Sequence, residues 1–477
     1  MTFLTNIQNW LYGKFGYVAV NELETVKNKP VTDESIEKID ISFAKNVREV
    51  IRWHGANGTD IPSIINANKA GIIGTKVNIQ SRIKDNPELN TQIEDYIKEF
   101  SSDENCEVTG RWHLDEAWRS MVEFTDKDGG FLVRHHFNSE WDIPYRFELI
   151  EVGMIDTSKN LKKTNVLNGI KKDKYGRITG IYLFTDQTRS ISRLVDKSEL
   201  IYYSPVWISL SQYTAVSKLS TILPSIDNLE QYSDAELKSA IDKSKAGRYW
   251  KTSLYDDIMK IARQTQDSKA KNDNIAKLMK RISEQAVKPQ GLTPIPRDDE
   301  IVLDSNNTDS IYTALTNNSQ LKVSSSQGLS SQIVYQDPSK SNYSAIKAML
   351  ALAQINWSIE FDNLSKKVML PILKNVVKVG VTAGHINIDG YFTNPSKYHK
   401  FDFMRVSEID IEPMKTAAAN AKNIDNGTHS KREIVSKRGR NIEDVYREEI
   451  EDEIEKLKLR KEMYAKAGIE IPTQEGK

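Results

Sequence analysis

The chain holds one cysteine, Cys106, in 477 residues. No disulfide can form within the chain, no cysteine cluster can hold a metal, and a reducing site of assembly fits. No unbroken apolar run approaches the roughly 20 residues needed to span a bilayer. The opening Met1-Thr2-Phe3-Leu4-Thr5-Asn6 lacks the charged-then-apolar layout of a secretion signal. The expectation is a protein without membrane partners, which stays in the cytoplasm that made it unless it leaves inside a particle. An excess of either charge is also missing, since Lys+Arg and Asp+Glu both total 66. A protein built to coat a duplex is usually basic overall. Contact with nucleic acid must therefore come from local patches, or from a weak patch repeated around an oligomer.

The signatures of catalysis are missing as well. His54, His113, His135, His136, His385, His399 and His429 are the only histidines. His135 and His136 are adjacent, and on a strand neighbours point to opposite faces, so they cannot easily share one metal. There is no H-E-x-x-H, phosphate-binding loop or nucleophile elbow. Asn57-Gly58 and Gly71-x-x-Gly74 are too sparse to cradle phosphate. Asp256-Asp257 and Asp298-Asp299 could suggest a two-metal nuclease, but 66 acidic residues make such pairs common by chance. The expectation is no enzyme, no metal and no cofactor.

What is present is a sequence of contrasting segments. Phe43, Val47, Val50, Ile51 and His54 follow a helical stripe, broken at Gly55, Asn57 and Gly58. Further helices are expected over 61–70 and 87–100, with a strand over 75–79 between them. Residues 110–205 carry short β-rich runs, notably Phe131 to Phe137, Tyr145 to Val152 and Ile178 to Phe184. Turn signals at Asp126–Gly130 and Asp173–Gly176 separate these runs. From Ile222 the pattern is helical again, with Ile222, Ile226, Leu229, Leu237, Ala240 and Ile241 on one stripe, ended by Gly247. Residues 248–288 are basic, with ten Lys and Arg against five Asp and Glu. They include Arg248, Lys251, Lys260 and Arg263.

A strand is expected over 300–303 and a short helix over 309–321. The stretch from Ser324 to Ser341 is rich in Ser and Gln with almost no apolar periodicity, and reads as a long loop. It contains Ser324, Ser325, Ser326 and Gln327, and Lys322 and Lys340 are its only flanking cations. A long helix begins near Asn342, and Pro371 should kink or divide it. From Glu412 the chain reads as all helix. Ser430-Lys431-Arg432-Glu433 forms a capping box. A highly charged helix with a narrow stripe of Val445, Ile450, Ile454 and Leu457 follows Asn441. The fold class is α+β.

In order, several of these segments resemble the lambda-like family of phage portal proteins. Val47-Arg48-Glu49-Val50-Ile51-Arg52-Trp53-His54, continuing to Gly71-Ile72-Ile73-Gly74-Thr75, is similar to that family's opening helices and the glycine turn after them. Arg146-Phe147-Glu148-Leu149-Ile150-Glu151 resembles a family strand, and Asn168-Gly169-Ile170 through Gly176-Arg177 a family hairpin. The closest likeness is Asp227-Asn228-Leu229-Glu230-Gln231-Tyr232-Ser233-Asp234-Ala235-Glu236-Leu237. Ser341-Asn342-Tyr343-Ser344-Ala345 resembles the start of the family's long helix, and Ser430 to Val435 with Arg438-Gly439-Arg440 its C-terminal pattern. Two features depart: Leu210 to Leu219 stands where the family has Arg-Gly, and the family's Gly-x-Pro before the loop is missing.

The resemblance implies a ring, usually of twelve subunits, at the vertex of a virion head through which DNA passes, assembled in the host cytoplasm. It implies a wing over 1–221, a first stem helix over 222–246, a clip over 247–306 and a second stem helix over 307–321. It further implies a tunnel loop over 322–341, a kinked helix returning to the wing over 342–411 and a crown over 412–477. In that scheme Ile222, Ile226, Leu229, Leu237 and Ile241 pack stems together. Arg248, Lys251, Lys260 and Arg263 meet partners, and Lys322, Ser324, Ser325, Ser326, Gln327 and Lys340 face the channel. The implied partners are further copies of the chain, the terminase large subunit, a head-tail adaptor, major capsid or scaffolding protein, and double-stranded DNA without sequence specificity. The main rival reading is another head-tail connector or baseplate protein. A second, a packaging nuclease-ATPase, is disfavoured by the missing phosphate-binding loop.

Overall fold

A computed structural model describes residues 41–84, 86–186, 188–206, 208–245, 249–252, 260, 276–277, 280, 293–296, 308–339, 341–405, 413–438 and 440–467. The chain divides into two compact units, one of residues 1–223 with 323–477 and the other of residues 224–322. Among the described residues no helix is long and apolar enough to cross a membrane.

The first unit opens with helices α1 (Ile41–Asn57) and α2 (Asp60–Ile72), strand β1 (Val77–Ser81) and helix α3 (Pro87–Phe100). Local chemistry sets the start of α3. The Asn86 side chain accepts a hydrogen bond from the Leu89 amide at 3.1 Å, and Pro87 supplies a preset φ at the first turn. Its spacing buries Leu89, Ile93, Tyr96, Ile97 and Phe100, each burial contributing about 1.5–3 kcal/mol.

Helix α4 (Leu114–Asp128) stands inside the stretch expected to be β-rich. Leu114, Ala117, Trp118, Met121 and Val122 give it a buried face at helical spacing. Trp118 is fully buried and stacks on Phe147 with ring centroids 6.2 Å apart.

Three antiparallel strands follow, β2 (Phe131–Phe137) in the centre, β3 (Tyr145–Glu151) on one side and β8 (Leu200–Tyr203) on the other. Phe131 is paired with both Glu151 and Tyr203. A second sheet, ordered β4-β5-β6-β7, contains β4 (Val166–Leu167), β5 (Ile170–Lys172), β6 (Ile178–Phe184) and β7 (Ser192–Asp196). Leu132, Ile181, Leu183, Val195 and Leu200 belong to a core shared by these two sheets.

The second unit holds most of α5 (Leu223–Lys245) and α6 (Thr308–Ser326), with the parallel pair β9 (Tyr249–Thr252) and β10 (Thr293–Pro296). Tyr232 of α5 stacks on Tyr312 of α6 at 5.8 Å. The strand expected over 300–303 lies outside the described residues.

The first unit resumes with the one-turn helix α7 (Ser331–Val334) and the long helix α8 (Tyr343–Leu364). A π-turn at Ser365–Met369 leads directly into α9 (Leu370–Thr382). The expected break at Pro371 is thus an irregular turn in a continuing helical path: proline lacks the amide, and the wider turn just before it absorbs the mismatch. Strand β11 (Phe401–Arg405) then pairs antiparallel with β1, Ser81 opposite Phe401 and Val77 opposite Arg405. Helices α10 (Pro413–Asp425), α11 (Lys431–Lys437) and α12 (Ile442–Ala467) complete the described chain. Ser430 caps α11 by accepting from the Glu433 amide at 3.1 Å, as the capping box predicts.

Candidate functional site

The Ser/Gln segment is partly helical. Helix α6 continues five residues beyond Leu321 and ends at Ser326. Its end is a Schellman closure. The Gly328 amide donates to the Ser325 carbonyl at 3.0 Å and the Leu329 amide to the Ser324 carbonyl at 3.1 Å. Gly328 sits at φ +71°, the left-handed geometry that such a closure requires and that glycine adopts without steric cost. Val323, Ser324 and Leu329 are buried beneath the turn. Ser324 is therefore withdrawn from solvent here, whereas Lys322, Ser325 and Ser326 are exposed and Gln327 is half-buried. Lys340 lies outside the described residues.

Polar groups hold this turn in place. The Asn356 amide nitrogen, on α8, donates to the Gly328 carbonyl at 2.8 Å. One turn further along the path, Tyr335 donates its hydroxyl proton to the Asp60 carboxylate at the start of α2. Burial and that carboxylate both push the Tyr335 phenol upward, burial more strongly.

Behind the turn lies a cavity of about 310 Å³, lined in part by Asn68, Asp126, Lys218, Gln327, Asn356 and Trp357. A chain of hydrogen bonds crosses its wall. The Trp357 indole donates to the Asn68 side-chain oxygen at 3.1 Å, and the Asn68 nitrogen donates to the Asp126 carboxylate at 2.9 Å. The indole lies directly over Gly71, where an added Cβ would come within 2.1 Å of a ring carbon. Only glycine lets α8 approach α2 this closely.

Asp126 keeps part of its surface, yet dense packing around its carboxyl dominates its titration. Loss of solvent pushes its pKa up to about 7, while the Asn68 amide and the Lys218 charge pull the other way. Lys218 is itself paired with Glu360 at 2.7 Å. Elsewhere in this unit the buried Asp128 carboxylate accepts two bonds from Arg52, at 2.8 and 2.5 Å, and Glu151 takes a third at 2.8 Å. These carboxylates hold Arg52 firmly charged, while burial lowers the neighbouring Arg48.

The groups gathered here are hydroxyls, amides and structural ion pairs, an arrangement suited to holding a segment in position. His135 and His136 behave as the strand geometry requires. His135 is buried against the Tyr145 hydroxyl at 2.8 Å, and His136 meets Glu148 at 2.7 Å on the other face. Among the described residues no group of three or more His, Cys, Asp or Glu is placed to hold a metal.

Of the remaining expected site residues, Ile222 stands at the end of the first stretch of the first unit and the others fall in the second unit. Ile222 and Ile226 are buried at the start of the stem stripe, Leu229 is half-buried, and Leu237 and Ile241 are exposed. Lys251 lies in β9 and Lys260 is an exposed helical residue, while Arg248 and Arg263 lie outside the described residues. Of the supports of the Ser/Gln turn, Gly71 and Asp126 stand in stretches read as turns, and Asn68, Asn356 and Trp357 carry no motif. Only the spacing of Trp357 on its helix marks it as packed.

Two chains of solved structures, described as the neck of an empty GTA particle computed with C6 symmetry and the neck of a native GTA particle computed with C12 symmetry, are each 10% identical to this chain. They have TM-scores of 0.43 and 0.42, cover 82% of this chain, and are themselves covered to 93% and 92%. At those values the likeness adds nothing to the assignment. No curated protein matches. A family model described as the phage portal protein of the lambda family matches residues 28–359. That span runs from before α1, past α5 and α6 and the Ser/Gln turn, to Ile359 in α8. With well over half of its length so matched, the chain belongs to the lambda family of phage portal proteins.

Proposed function

We propose that copies of this chain close into a ring, usually of twelve, at one vertex of a virion head, and that DNA is packaged and ejected through its centre. The observation that carries this reading is the family match over 28–359. The chain is a structural component and acts by shape, with no bond broken. Within the ring, residues 1–221 form the wing, 222–246 and 307–321 the stem, 247–306 the clip, 322–341 the tunnel segment, 342–411 the return to the wing and 412–477 the crown. The clip docks the terminase large subunit during packaging and a head-tail adaptor afterwards. Capsid or scaffolding protein surrounds the wing. Assembly takes place in the host cytoplasm.

The surface offered by the Ser/Gln turn suits a moving duplex. A Lys or Arg on a phosphate adds a strong, salt-dependent attraction, and a channel crowded with such groups would trap DNA. Exposed Ser325 and Ser326 make weak, exchangeable contacts instead, multiplied by ring symmetry. Reading a base sequence needs side chains fixed in a groove, and a sliding duplex offers no fixed register. Passage is therefore independent of sequence. The test is a packaging assay with rings carrying Ser325→Lys and Ser326→Lys. Packaging should slow at low salt and recover as salt rises. Equal rates at all salt concentrations, or strong selection of one DNA sequence by the parent ring, would contradict this reading.

A further inference from the structure

Helix α12, Ile442–Ala467, has a divided charge. Its first part, 442–455, carries eight Asp and Glu against one Arg, and its second, 456–467, five Lys and Arg against one Glu. Tyr446, Ile450, Ile454 and Leu457 recur at intervals of three and four residues on one stripe and stay 45–57% exposed. The helix is fastened at its start. Ile442 is buried, the Asn441 amide reaches Glu94 at 3.4 Å, Arg432 pairs with Glu443 at 2.6 Å, and Arg440 pairs with Glu448. Beyond those turns the apolar stripe lies open.

One flank of the stripe repeats the division cleanly, and the other in part. At 100° per residue, Glu449, Glu453, Lys456 and Arg460 fall on one flank. On the other, Glu451 and Lys458 keep the division, with Arg447 and Glu462 as exceptions, and Glu443 and Lys461 fall within the stripe itself. Two such helices side by side in register set acid against acid and base against base. That arrangement is unfavourable for close pairs flanking an apolar seam. Displaced by about two turns, roughly 11–13 Å, the acidic part of one lies against the basic part of the next. Such a contact joins two different surfaces, so it repeats around a ring instead of closing on a pair.

We propose that α12 is a self-assembly element: it packs its stripe against α12 of a neighbouring copy of this chain, with an axial offset of about two turns set by charge. Tilted helices around a ring meet with this kind of offset. The occupant is a second copy because the helix complements its own charge pattern. The contact deepens the ring reading and rests on it, and its charge pairs weaken as salt shortens the screening length.

The test uses the full chain with engineered cysteine pairs under mild oxidation. Cys106 is buried with its thiol against the Trp112 carbonyl at 3.0 Å, which keeps the background low. One protein carries Glu449→Cys and Lys458→Cys, and another Glu451→Cys and Arg460→Cys, one for each direction of offset. Ring formation is scored separately by electron microscopy. The expected result is a ladder of cross-linked subunits from one pair. The ladder should weaken at least several-fold when the remaining basic residues among 456–461 are changed to Glu. It should return when that protein is mixed with one whose acidic flank residues are changed to Lys. Rings that yield a ladder from neither pair overturn the inference and leave the ring intact. Absence of both rings and ladders overturns both readings.

Discussion

Replacing Gly71 with alanine tests how the Ser/Gln turn is supported. An added Cβ would stand 2.1 Å from one carbon of the Trp357 ring and 2.2 Å from another. Contact at that distance cannot be tolerated, so the indole must leave or the two helices must separate. Overpacking of this kind costs about 1–3 kcal/mol. Leaving also breaks the 3.1 Å bond from the indole to Asn68, worth about 1 kcal/mol. The expected cost of Gly71→Ala is therefore about 2–4 kcal/mol. Trp357→Ala should cost about 3–5 kcal/mol by cavity formation.

The two changes share one contact, so they should not add. Once the ring is gone the extra methyl has nothing to meet, and the double variant should match Trp357→Ala within about 0.5 kcal/mol. Urea unfolding followed by tryptophan-independent circular dichroism, at one fixed protein concentration, measures all three. Additive costs would show that Gly71 and Trp357 are not in contact, and the account of the cavity wall would fall with that.

Other predictions concern neighbouring groups. Asp126 is held protonated to about pH 7 in the fold against an ordinary value of 3.8. Since the folded value is the higher, ionisation opposes folding. Stability is full below about pH 4 and falls as pH rises towards 7. Asp126→Asn should remove that slope and gain about 2–4 kcal/mol at pH 8 with no gain at pH 4, measured by unfolding at both; an equal effect at the two pH values would contradict the assignment. Arg52→Met strands the fully buried Asp128 carboxylate and should cost about 3 kcal/mol. Asp128→Asn should cost less, because Arg52 keeps Glu151. Gly328→Ala, at φ +71° with an added Cβ 2.5 Å from the Asn356 amide nitrogen, should cost about 1–2 kcal/mol. It should also raise hydrogen exchange over 324–330, and unchanged exchange would count against the Schellman closure.

Sequence reading reaches furthest where the determinants are local. The 87–100 helix is bounded by its own Asn86-Pro87 start, and β2 and β6 by runs of β-formers between turns, so all three have the expected limits. Helix α4 is masked by its own ending. Asp126-Lys127-Asp128-Gly129-Gly130 reads as a turn between strands, yet Asp126 to Asp128 form the last helical turn. The spacing of Leu114, Trp118 and Met121 carried the helical signal. The end of α6 differs for a tertiary reason. Serines are modest helix formers, but burial of Val323 and Ser324 beneath the Gly328 closure carries the helix through them.

Strand β11 finds its partner 320 residues away, and nothing near Phe401 announces it. The support of the Ser/Gln turn is equally distant, since Asn68 meets Asp126 across 58 positions and Trp357 across 289. The family resemblance, by contrast, was legible because its segments keep their order along the chain.

Direct imaging of the purified full-length protein by electron microscopy, with particle symmetry counted in end views, is the measurement closest to the central claim. Closed rings of uniform subunit number around an open hole wide enough for duplex DNA are the predicted result. Particles that remain single subunits under every assembly condition, or rings whose centre is filled, would contradict it.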